Sequence, residues 1–272
     1  MTVIERDFFR LLRTGLFGTR EPIEPLSPWK WRRLYQLSLL HGVTDIIWQG
    51  INTCQDDYFV TLIAPEFKDK WAKTIIQVVE DAEEETADTS LTNPLLDHKL
   101  QEIIDQESAK EETPTRLILL NIVNNARTIL NEGVSLPLLI ELARMIRKPD
   151  NGIDYEKLQT WIAQLHMQPM ADLTGTLLIL SLDFSQEEMP FMKKNLEKTA
   201  RQLMAEMFVL DSATTDEWYF TQKEDQIFVR THNSRAMLWH VGHSARYSHL
   251  YPSEAVTNFF KSFAKSLTHI EE

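Results

Sequence analysis

The feature that most constrains the fold is the stretch 149–192, PDNGIDYEKLQTWIAQLHMQPMADLTGTLLILSLDFSQEEMPFM, the most apolar part of the chain. Its limits are sharp. Pro149 has no backbone donor and restricts Lys148 before it, so a preceding helix must stop there. Asn151-Gly152 supplies a turn, and the Asp154 carboxylate is placed to accept from the first unpaired N–H groups of a new helix. Ile153 before that cap and Leu158 after it have the spacing of a hydrophobic staple. Leu158, Trp161, Ile162 and Leu165 continue as one stripe at helical spacing. Gln168-Pro169 breaks this helix, and a second is predicted from Met170 to Leu182, with Leu173, Leu177, Leu178 and Leu180 on its apolar side. Two short helices joined by a proline turn are expected to bury facing stripes as an αα-hairpin, with a loop from Asp183 to Pro190.

The same punctuation divides the rest of the chain. A first helix over 2–16 carries Val3, Ile4, Phe8, Leu11 and Leu12, with Gly15 and Gly18 marking its end. The connector EPIEPLSP leads to Ser27-Pro28, a cap followed by a first-turn proline. The next helix holds Trp31, Leu34, Tyr35 and Leu39 and closes at His41-Gly42; a short one holds Ile46, Ile47 and Ile51. Pro65 opens a helix with Phe67, Trp71, Ile75, Val78 and Val79. Pro114 opens another with Leu117, Ile118 and Ile122, ending at Gly133. Ser135 and Pro137 begin one with Leu138, Leu139, Leu142 and Ile146. A long helix is predicted from Phe191 to Leu210, and two final ones over Ser234–Ser248 and Ser253–Leu267. Only EWYFTQKEDQIFVRT, 217–231, reads as β, two aromatic or branched runs around a polar turn. The fold class expected is mostly α, a compact multi-helix array with a minor β-hairpin near 217–231. It forms a single helical domain over 1–272, with possible sub-units 1–79 (an N-terminal helical arm), 80–112 (an acidic segment) and 113–272.

Charge and composition narrow the function classes. The net charge is −12, which disfavours nonspecific binding to nucleic acid or anionic membrane. Residues 80–112 hold twelve carboxylates against Lys99 and Lys110, and a short helix with Leu95, Leu96, Leu100, Ile103 and Ile104 lies inside them. Such a run is either a face for a basic partner or, the reading taken here, a solvated loop with exposed helix faces. The lone Cys54 excludes an intrachain disulfide and a cysteine metal cluster. Seven of the nine methionines fall between 145 and 207, and their spacing among leucines assigns them to the core rather than to an adaptable groove. No apolar run approaches the ~20 residues of a membrane helix, and the charged start MTVIERDFFRLLR reads as no signal peptide. The expected compartment is the cytoplasm.

No catalytic constellation emerges. His232, His240, His243 and His249 cluster late, and His240 and His243 share a helix face. They are the candidate metal ligands, but no third ligand follows in the HEXXH manner, and Arg235 and Arg246 would repel a cation. No metal and no cofactor are expected. Asp154/Glu156 echoes the paired carboxylates of nucleotidyl transfer, as does Asp105/Glu107. That chemistry needs both groups on one face of a strand, holding two metal ions. Here one pair opens a helix and the other ends one. No phosphate loop, dinucleotide fingerprint, nucleophile elbow or zinc signature occurs.

Phe8-Phe9, Leu11-Leu12 and Gly15-Leu16, then Trp31, Leu34 and His41-Gly42-Val43, resemble the N-terminal helical arm of the uncharacterised bacterial nucleotidyltransferase-like family. Ile153-Asp154, Leu158 and Trp161 through Met189-Pro190-Phe191 are similar to the helical domain that follows that family's catalytic core. Tyr251-Pro252-Ser253-Glu254-Ala255 resembles its closing helix. The resemblance covers about two-thirds of the chain and implies a scaffold around a mixed αβ core, with a Lys-Gly strand and a Gly-Asp-x-Asp strand. In this chain the corresponding interval, 65–135, is acidic and helical, and no position matches the metal carboxylates. The expected function is a non-catalytic binding or accessory protein related to that helical scaffold, with a possible protein partner. The competing expectation is a nucleotidyltransferase with a degenerate or unrecognised site, and the last is a metal-dependent activity at the late histidines.

Overall fold

A computed structural model describes residues 1–63, 65–80, 89–108, 113–208 and 242–257. The chain is mostly α, and among the described residues no strand occurs. The first six helices are α1 (Val3–Phe17), α2 (Pro28–Leu40), α3 (Thr44–Thr53), α4 (Tyr58–Thr61), α5 (Pro65–Glu80) and α6 (Pro94–Ser108). Then come α7 (Pro114–Asn131), α8 (Leu136–Ile146), α9 (Tyr155–Gln164), α10 (Gln168–Leu182) and α11 (Glu197–Met207). Residues 242–247 and 252–257 are also helical. Among the described residues no helix is long and apolar enough to cross a membrane. The hairpin expected near 217–231 lies outside the described residues, as does the start of the helix expected from Ser234.

Caps set the starts where the sequence marks them. Thr2 and Glu5 form a reciprocal capping box on α1. The Ser27, Thr113 and Asp154 side chains accept from Lys30, Arg116 and Lys157 N–H respectively, the first two with proline in the first turn.

The helix at the centre is α10. It touches α1, α7, α8, α9 and α11, and every residue from Met170 to Leu178 is buried. A helix covered on all sides has no single apolar stripe. This corrects the expected hairpin: α9 packs mainly on α7, with Leu158, Trp161 and Ile162 buried, while Leu180 of α10 is only half-buried. The methionines belong to the core, as expected: Met167, Met170, Met189, Met192, Met204 and Met207 are all buried.

Two further expectations change. The helix predicted from Phe191 begins only at Glu197. Residues 191–196 instead lie across α10, which supplies their backbone partners. Lys193 N–H donates to Asp172 Oδ1 at 2.8 Å and Leu196 N–H to Thr176 Oγ1 at 3.0 Å. Gln168 Nε2 donates to the Phe191 carbonyl at 2.9 Å. These side-chain acceptors outcompete a helix that would satisfy the same groups locally. Second, Gly15 does not end α1. It lies within the helix where α1 crosses α3, and a Cβ there would meet the Ile46 carbonyl oxygen at 2.0 Å; Gly50 of α3 faces Leu11 in the same way at 2.1 Å. Gly18, in the left-handed region at φ +71, is the true terminator.

The acidic span is not a plain solvated loop where it is described. Leu91 is buried, Thr92 and Asn93 donate their backbone N–H groups to the buried Glu254 carboxylate at 2.6 and 3.0 Å, and Asn93 Oδ1 caps α6. Leu96, Leu100 and Ile103 are buried as expected, but Leu95 is exposed.

Candidate functional site

Of the two candidate metal ligands, His240 lies outside the described residues and His243 is buried. The surroundings of His243 explain its burial. The last turn of α7 presents carbonyls without intrahelical donors. His243 Nε2 lies 2.7 Å from the Ile129 oxygen, and Ser244 Oγ donates to the Leu130 oxygen at 2.7 Å. A carbonyl only accepts, so Nε2 carries the hydrogen. On the other side Nδ1 lies 3.2 Å from Glu206 Oε2 of α11. Glu206 Oε1 accepts from the Tyr247 hydroxyl at 3.0 Å and from the Arg246 guanidinium. Burial, reinforced by the Glu206 carboxylate, pushes the Tyr247 phenol up to about 12, so it stays a donor at neutral pH. The histidine therefore ties three elements together, both ring nitrogens facing protein oxygens. Among the described residues no group of three His, Cys, Asp or Glu side chains converges as a metal cage.

The paired carboxylates are not brought together as a two-metal site requires. Asp154 Oδ1 accepts from Lys157 N–H at 2.9 Å, while Asp154 N–H donates to Thr115 Oγ1 at 2.9 Å. Glu156 is exposed on the first turn of α9, and Asp105 is exposed on α6 two residues before Glu107. Residues two apart on a helix diverge by ~200° about the axis.

Sequence reasoning missed the charged groups that are most tightly held. Asp7 is fully buried on α1, and both of its carboxylate oxygens accept from Glu24 N–H at 3.2 Å. Arg10 bridges Asp7 and Glu24 at 3.0 and 2.9 Å, and Arg6 grips Glu24 with two bonds of 2.8 Å. Burial raises the Asp7 carboxyl above its ordinary range. The Arg6 hydrogen bond, reinforced by Arg10 and opposed by desolvation, holds Glu24 down to about 2. Arg13 pairs with Glu21 and donates to the Ser181 carbonyl, so the proline-rich connector is strapped along α1 by three arginines. Arg147 stacks on Phe184 and Phe17, with its guanidinium carbon 3.8 and 4.5 Å from the ring centres, and it binds Glu188 and the Asp183 carbonyl. The Arg147 hydrogen bond holds the Glu188 carboxyl below its usual range. The spacing of Arg6, Arg10 and Arg13 on one face of α1 was the available signal for the connector strap. Nothing local announces Arg147.

Protein-family models, curated proteins and solved structures were all compared with the chain, and none of them matches it.

Proposed function

We propose that this chain is a non-catalytic binding or accessory protein, kin to the helical scaffold of nucleotidyltransferase-like proteins and without their mixed αβ core. The observation that carries the reading is the use of its carboxylates. Asp7, Asp154, Asp172, Glu206 and Glu254 each accept from donors of the same chain, and the two near-matches to a metal pair sit on helices, where the side chains diverge. The described part of the interval 65–135, where that family keeps its catalytic strands, supports the same reading by being helical. The partner proposed is a protein. A chain of net charge −12 is a poor nucleic-acid binder, and the compartment proposed is the cytoplasm.

The test is calorimetric titration of the full chain with each ribonucleoside triphosphate and magnesium. No saturable binding is expected. Asp154→Asn is expected to change stability alone and only modestly, because an asparagine oxygen caps a helix about as well as a carboxylate. Saturable, magnesium-dependent binding abolished by that substitution would overturn the reading in favour of the enzyme.

A further inference from the structure

Helix α2 turns an unusual face away from the core. Trp29, Arg32, Arg33, Gln36 and Leu40 recur at spacings of three and four on one side, opposite the buried Trp31, Leu34 and Ser38. Trp29 is 65% exposed and Leu40 40%. They stand ~16 Å apart along the axis, with the two arginines between them. A single exposed apolar residue needs no explanation. An aromatic and an aliphatic anchor flanking guanidinium groups on one stripe has the composition of an interface hot spot, in which tryptophan and arginine dominate.

Charge supplies a second, independent observation. From Pro25 to Thr44 the chain has Lys30, Arg32 and Arg33 and no carboxylate, although the whole chain carries −12. Arg6, Arg10, Arg13 and Arg147 each hold a carboxylate, whereas none of these three cations is paired with one among the described residues. Arg33 is half-buried and, among the described residues, donates to the Phe208 carbonyl at 3.2 Å. Desolvation of its guanidinium pushes its pKa down. A cation partly stripped of water, with no counter-charge among the described residues, is an electrostatic cost that an incoming carboxylate removes.

We propose that this outer face of α2 docks an acidic amphipathic helix of a protein partner, whose apolar stripe covers Trp29 and Leu40 and whose carboxylates meet Arg32 and Arg33. The proposal rests on the binding-protein reading and gives it a ligand class. Helix-in-groove recognition uses anchors at this kind of spacing. A nucleic acid fits less well, because three cations neutralise few phosphates and the surrounding negative chain repels a polyanion.

The test uses fluorescence anisotropy of the full chain with a labelled leucine–glutamate helical peptide. Its glutamine counterpart and a labelled oligothymidylate serve as the comparison arms. Trp29→Ser and Arg32→Glu, both at exposed positions, are each expected to weaken the acidic peptide about tenfold. Circular dichroism and the melting midpoint should stay unchanged, and exposed Leu62→Ser should bind as the parent does. Failure of the acidic peptide to bind overturns the proposal, as does equal binding of the glutamine peptide or indifference to both substitutions. Tighter binding of oligothymidylate, lost in the same variants, overturns it in favour of nucleic acid. Magnesium-dependent triphosphate binding abolished by Asp154→Asn, the failure of the non-catalytic reading, is measured on residues outside this face, so the two failures are told apart.

Discussion

The crossing of α1 and α3 is a contact between backbones, and two methyl groups test it. A Cβ on Gly15 would stand 2.0 Å from the Ile46 oxygen, and one on Gly50 2.1 Å from the Leu11 oxygen. A relaxed carbon–oxygen contact needs ~3.3 Å. The obstruction is main chain, so no rotamer change relieves it, and the helices must part by ~1 Å. A gap of that size forfeits about a quarter to a half of each dispersion well across the interface, which includes the buried Leu11, Leu12, Ile47 and Ile51. Alanine gains ~1 kcal/mol over glycine in a helix. Overpacking costs roughly 1–3 kcal/mol, occasionally more, and a clash with rigid backbone belongs at the top of that range. Each of Gly15→Ala and Gly50→Ala is therefore expected to lose about 2 kcal/mol net. Unfolding entropy of ~2.1 cal/mol/K per residue converts this into a fall of about 3–4 °C in the melting midpoint. In the double variant one separation accommodates both methyls, so its loss should be smaller than the sum by about 1 kcal/mol or more. Gly18→Ala is the control. Its Cβ meets nothing, its φ of +71 alone is strained, and its cost of ~1 kcal/mol should add to the others. Scanning calorimetry decides the matter. A higher midpoint in both single variants would mean that propensity wins and that the helices do not meet at these glycines.

Glu24 should shape the acid limb of the stability curve. Its folded pKa of about 2 lies below the ordinary 4.5, so its stabilisation is complete above about pH 4.5 and disappears as pH falls toward 2. The urea midpoints of the parent and Glu24→Gln should converge over that window, and a pH-independent gap would refute the assignment. Asp7, raised by burial, contributes with the opposite sign: its share is present below its ordinary range and is lost as pH rises through the folded value. Retaining Asp7 in both proteins removes most of that effect from the comparison. His166, at φ +55 just after α9, occupies a conformation that costs a non-glycine residue about 1–2 kcal/mol. His166→Gly should raise the midpoint by about 1 °C after the extra freedom of the unfolded chain is counted, and a fall would contradict the strain. Trp161 is buried beneath Lys157, so Trp161→Ala should cost roughly 3–5 kcal/mol in chemical denaturation; an unchanged midpoint would deny its place in the core.

What the sequence disclosed was local. Ser27-Pro28, Pro114 and Asp154 announce helix starts because caps and first-turn prolines act within three residues, and 3.6-residue spacing reveals any helix with one wet side. What stayed hidden depends on distant partners. Nothing local marks Asp172 and Thr176 of α10 as buried; they are so because residues 191–196 cross over them. Phe191–Leu196 reads as helix for the same reason, since its acceptors come from another element. A glycine inside a helix looks the same whether it ends the helix or admits a neighbour, so Gly15 was assigned to the wrong role. Spacing alone puts His240 and His243 on one helix face. The surroundings of His243 depend on a carbonyl of α7 and a carboxylate of α11, which no spacing within its own helix reveals.

The Glu254 carboxylate has a consequence for the order of folding. It satisfies the N–H groups of Thr92 and Asn93 just before α6, from a position 162 and 161 residues further along the chain. Contacts of such separation close only after the intervening chain has been placed, and they are the slow ones. During synthesis α6 emerges long before its second cap exists. With Asn93 alone at its start, it should fray until the helix over 252–257, which carries Glu254, docks. Exchange protection at Thr92 and Asn93 should therefore be among the last to develop on refolding.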